Sequence, residues 1–178
     1  MKLTLSILTI LLSAFIAFGQ TDLDKGIELY QSNDYNAAIS VLQGVVNADQ
    51  NDRDAWLFLG MSLAQAKKTK EAIKALRKGD SISGKFSTVY DKAPKIISKP
   101  RAQFTDAARQ NMTRGVVKLA VEFGADKKIK SIVTIQSLPD GLTQICIAAA
   151  KGIKFEPASK NGNPVSSIKI VEYAFDIF

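Results

Sequence analysis

Nucleophilic and acid–base chemistry in proteins leans on histidine and cysteine, and this chain offers neither in usable form. It has no histidine, and its one cysteine, Cys146, falls in the apolar stripe Leu142, Ile145, Cys146 and Ala149 of an expected helix. A thiol in that register packs rather than reacts. The other serines and lysines are scattered, with no P-loop, dinucleotide fingerprint or carboxylate cluster. The segment "NADQNDRD" (47–54) alternates oxygen-bearing side chains as a calcium loop does. It lacks the glycine of the sharp turn and would place Phe58 at the last ligand position, so a turn is expected there instead. The chain is expected to be no enzyme, with no catalytic residue, cofactor or metal.

What remains is the chemistry of the backbone. In "KFEPASKNGNPV" (154–165), Asn161-Gly162 supplies the positive φ angles of a tight turn, and Pro164 forbids a helix just behind it. The following "VSSIKIVEYAFDIF" reads as a strand running to the last residue. Its apolar phase changes from Ile168 and Ile170 to Val171, Tyr173, Phe175 and Ile177, which predicts a β-bulge near Ile170–Val171. If that strand lies at a sheet edge, its N–H and C=O groups are open to pairing, and a proline at Lys169 is expected to block them.

The elements that position this strand follow from the rest of the chain. Residues 1–19 carry Lys2, an apolar run from Leu3 to Phe18, and small residues at Ala17 and Gly19. The run is short for a spanning helix and reads as a secretory signal cleaved near Gly19–Gln20; the alternative is an inner-membrane anchor over residues 3–18. No cysteine lies near that junction, so a lipoprotein is not expected. The formal charge of +7 is concentrated in residues 81–178, which carry 15 basic and 8 acidic residues. That balance reads first as a solvated surface, with weak contact to anionic envelope polymers as a further expectation and no nucleic-acid partner.

Residues 20–86 read as helices that repeat with a period of 34: Gly26 falls over Gly60, Leu29 over Leu63, Ala38 over Ala72 and Leu42 over Leu76. The pattern resembles the tetratricopeptide repeat, in two units at about 19–52 and 53–86. It departs at Gln50, where the family usually has proline, and at Gly79. Two repeats need a cap from elsewhere. Lys70, Lys74, Arg77 and Lys78 form a basic stripe, read as a solvated face. Residues 87–101, with two prolines and several positive charges, read as a semi-extended linker.

From residue 102 the pattern becomes short helix, strand, strand, helix, elbow, strand. "GVVKLAVEF" places Val117, Leu119, Val121 and Phe123 on one face and Lys118 and Glu122 on a wet one. "FTDAAR", Gly115 and "FEPASKNGNPV" together resemble the C-terminal domain of TonB, the protein that reaches across the periplasm to outer-membrane receptors. The resemblance covers about residues 95–178, with Thr105 where that family has proline. It implies an α+β fold, a three-stranded antiparallel sheet with two helices behind the all-α repeats. It also implies a partner segment adding to the last strand at Ile168, Lys169, Ile170, Val171, Glu172 and Tyr173, with Arg101, Gln103 and Phe104 close by.

A working TonB also has an uncleaved anchor bearing a histidine and a long proline-rich span, and this sequence shows neither. The resemblance therefore implies receptor or peptide binding, and not transduction of the proton gradient by this chain alone. Two functional expectations follow. In one, an exported, periplasmic adaptor binds segments of an outer-membrane TonB-dependent receptor or another envelope protein, in association with energised transport. In the other, the chain is an envelope scaffold whose repeats and last strand mediate assembly or homodimerisation.

Overall fold

The computed structural model describes residues 22–82, 87 and 89–176, so the expected signal segment lies outside the described residues. The chain divides into two compact units, Met1–Thr88 and Val89–Phe178.

The first unit shows why a 34-residue period makes a fold. Helix α1 spans 22–31, α2 Tyr35–Ala48, α3 Arg53–Gln65 and α4 Thr69–Ser81. α1 and α3 end alike: Asp34 N donates to Leu29 O, and 34 residues on Lys68 N donates to Leu63 O, both at 2.9 Å. Asn33 and Lys67 supply the left-handed turns at φ 67° and 62°. The helices of each pair touch where the glycines sit. A Cβ on Gly26 would lie 2.6 Å from Leu42, and one on Gly60 would lie 2.5 Å from Leu76. The 34-residue superposition of small on small and large on large is thus the interhelical seam. The oxygens of the 47–54 turn serve the backbone: Asp52 caps α3 by accepting from Ala55 N at 2.9 Å, and Asp49 accepts from Asn51 N at 2.8 Å. The basic stripe of α4 is exposed.

The second unit is an antiparallel sheet with helices on one face. β2 (Gly115–Phe123) lies between β3 (Ile129–Gln136) and β7 (Ser167–Phe175), in the order β3-β2-β7. The core gathers Val117, Leu119, Val121 and Phe123 of β2, Val171, Tyr173 and Phe175 of β7, and Leu142, Cys146 and Ala150 of α6 (Leu142–Lys151). α5 (Asp106–Gln110) adds Ala108. Thr105, standing where the resembled family has proline, caps α5 from its hydroxyl and donates to Asp140 O at 2.7 Å.

Three expectations change here. Residues 95–98 are not linker: they form β1 (Lys95–Ser98), which pairs with β4 (Lys154–Glu156), while Asp91 N donates to Ser159 O at 2.8 Å. The short strands after α6 need ladder partners for their polar backbone, and this segment supplies them. The predicted bulge in β7 is absent, because β2 and β7 pair without a register shift from Gly115↔Phe175 to Phe123↔Ser167. The phase change has another cause. Ile168 is buried on the face opposite the core, beside its cross-strand partner Glu122, and Ala120 on that face is buried as well. The face of Lys118 and Glu122 is therefore not uniformly wet: Glu122 stands in the central strand between Ser131 and Ile168, which shade it from both sides.

Candidate functional site

The elbow is built as its residues require. β5 (Ala158–Lys160) and β6 (Asn163–Val165) form a hairpin closed by Asn161 at φ 52° and Gly162 at φ 80°. Asparagine and glycine are the residues that accept those angles. The hairpin delivers the chain into β7, which pairs only with β2 in the three-stranded sheet and so forms its edge.

The direction of that edge can be read from one bond. Lys99 Nζ donates to the Glu172 carbonyl at 2.9 Å, and its ammonium sits 4.8 Å from the centre of the Tyr173 ring. A carbonyl held by a side chain from outside is one the ladder leaves open. Backbone groups alternate sides along a strand, so Ile168, Ile170 and Glu172 turn their N–H and C=O outward, and Lys169, Val171 and Tyr173 bond to β2. The Lys118–Glu172 ion pair at 2.8 Å joins directly opposed residues, as the close side chains of a non-hydrogen-bonded pair allow. This parity corrects the expectation for Lys169. A proline there removes a bond inside the sheet, whereas the open edge is blocked at Ile170 or Glu172.

The six β7 residues expected at the site fall into three sets. The side chains of Ile168, Val171 and Tyr173 are buried, Lys169 and Ile170 are half-buried, and Glu172 is exposed. Any strand added here reads backbone more than side chains. Of the residues expected nearby, Arg101 and Gln103 are exposed, while Phe104 is partly buried and packs edge-to-face on Phe175 at 5.1 Å. The segment from Lys99 to Phe104 thus touches β7 at two points. Lys99 is the residue that sequence reasoning missed; a lysine before proline in a basic stretch carries no signal that its charge lands on an edge carbonyl.

Beneath the edge, burial pushes the Tyr173 hydroxyl up to about 12, with nearby Cys146 adding to the rise. Burial likewise pushes the Cys146 thiol up to about 11, with Lys99 opposing it. The thiol stays protonated at neutral pH, in keeping with a packing role. The fold favours both neutral forms, so the unfolded chain loses these protons first as pH rises. The stability they contribute is complete below about pH 8.5 and is lost as the pH climbs towards 12. Urea unfolding of the second unit is expected to be flat from about pH 6 to 8, then to weaken by on the order of 2 kcal/mol by about pH 11. A midpoint unchanged at pH 11 contradicts the burial of both groups.

Helical hairpin repeats are followed by a sheet whose last strand pairs with β2 alone. The comparisons agree segment by segment. Residues 29–87 match the family model of the tetratricopeptide repeat, and residues 100–177 match that of the Gram-negative bacterial TonB protein C-terminal, in the order expected. No curated protein matches the chain. Both families are binding or adaptor domains, and the second implies interaction with proteins of the cell envelope. Among the described residues no helix is long and apolar enough to cross a membrane.

Proposed function

We propose that this chain is an exported, non-enzymatic adaptor whose β7 edge receives an extended segment of an outer-membrane receptor, while its helical repeats hold a second protein. The observation that carries this reading is the bond from Lys99 to the Glu172 carbonyl on a strand that pairs with β2 alone, from which an outward backbone at Ile168, Ile170 and Glu172 follows. Each outward residue offers one donor and one acceptor, and each bond made contributes about 0.5–1.5 kcal/mol net. Displacing Lys99 costs little, because its ammonium is exposed and regains water. Arg101 and Gln103 lie beyond Lys99 on the same exposed segment, within the stretch that a receptor strand passes.

The test is a titration of the isotope-labelled chain, lacking residues 1–19, with peptides from the periplasm-facing segments of the host's outer-membrane receptors. Saturable amide shifts are expected at Ile168, Ile170 and Glu172. If no peptide shifts these amides and they broaden with protein concentration as a dimer forms, the scaffold reading replaces this one.

A further inference from the structure

The sheet has a second edge. β3 pairs with β2 alone in the three-stranded sheet. With Glu172 facing outward, its partner Lys118 and the residues in phase with it, Ala120 and Glu122, turn their backbone groups towards β3. They meet Val133 and Ser131, so the intervening Ile132 directs its N–H and C=O away from β2. A groove of about 660 Å³ runs here between β3 and α6, within the size range of peptide and ligand pockets. Its walls include Ile132, Ile147 and Ile153, and its rim carries Lys127, Lys128 and Lys151. Lys130 is also at the rim but is answered by Asp126 at 2.7 Å, a contact that holds the Asp126 carboxyl below its ordinary value. The structure gives Lys127, Lys128 and Lys151 no acidic partner among the described residues.

We infer that this groove is a second strand-addition site, separate from β7, and that it takes an acidic extended peptide with alternating apolar side chains. An open strand edge walled by a helix offers backbone pairing for affinity and a floor for every second side chain. The isoleucines supply that floor. The three unanswered lysines choose the sign of the partner's charge and speed its approach. A peptide without carboxylates lacks the second term, and one without free N–H groups lacks the first.

The probe is a fluorescein-labelled, end-capped seven-residue peptide alternating glutamate and valine, followed by anisotropy against the full chain at low salt. Saturable binding is expected. The pair Lys128→Glu and Lys151→Glu, both at exposed positions, is expected to weaken it at least tenfold. Ile132→Pro is expected to do the same, and Glu172→Pro to leave it unchanged, which separates this site from the β7 edge. A version of the peptide methylated on its backbone nitrogens is expected not to bind. Equal binding of the methylated peptide overturns strand addition. Loss with Glu172→Pro but not with the lysine reversals means that the chain has one receptive edge. Absence of peptide binding, with or without lysine-dependent binding to phosphatidylglycerol vesicles, also overturns the proposal.

Discussion

Glu172→Pro is expected to weaken binding of a receptor-derived segment at the β7 edge by at least tenfold, about 1.4 kcal/mol or more, while the chain stays folded. The substitution removes an outward N–H and puts a pyrrolidine ring where the incoming strand must lie. Proline is tolerated on an edge strand when the N–H it lacks faced solvent. Glu172→Ala is the control. It removes only the partly exposed pair with Lys118, a loss of about 0–1 kcal/mol, and is expected to leave binding nearly intact. Lys169→Pro should behave differently, because its N–H faces β2 opposite Val121. It is expected to unfold the sheet, read as loss of the strand signal in circular dichroism. If Glu172→Pro binds as well as the parent, edge pairing at β7 is wrong. If Lys169→Pro folds and loses binding instead, the parity read from the Lys99 bond is wrong.

The largest effect on stability is expected from Phe123→Ala. Phe123 is fully buried at the end of β2 and meets Phe155 edge-to-face with ring centres 4.7 Å apart. Truncating a buried phenylalanine costs roughly 3–5 kcal/mol. A unit of this size is worth only about 5–13 kcal/mol in total, so the variant loses a large share of it. Urea unfolding followed by far-ultraviolet circular dichroism is the measurement. A loss under about 1 kcal/mol would show that the cluster joining β2 to β4 is not packed as described. Phe155 sits in β4, whose partner β1 leads directly to Lys99. The core therefore also sets where the chain crosses the β7 edge.

Much of this was legible in the residues because it depends on near neighbours. The period of 34 is local packing written twice, and it reappears in the paired turns at Asn33 and Lys67 and in the glycine contacts to Leu42 and Leu76. Asn161-Gly162 permits few conformations other than the hairpin it forms. The apolar stripe of α6 placed Cys146 in the core, where it is fully buried. The resemblance placed Phe104 near the last strand, and its ring packs on Phe175 of β7.

The sequence by itself determined the two-part architecture, the turn that feeds the last strand and the packing register of Cys146. Tertiary structure decided which way the strand's backbone faces, which carbonyl Lys99 holds, and that β3 forms a groove with α6. It also decided that Ile168 and Glu122 are buried, and that the basic proline-containing segment becomes a strand. The physical reason is the range over which each property is set. Turn and helix signals depend on residues a few positions apart, whose sterics are written in order along the chain. Hydrogen-bond parity, burial on the second face and the landing point of a lysine depend on which distant strands pair, Gly115 with Phe175 and Lys95 with Glu156, and no local pattern carries that register.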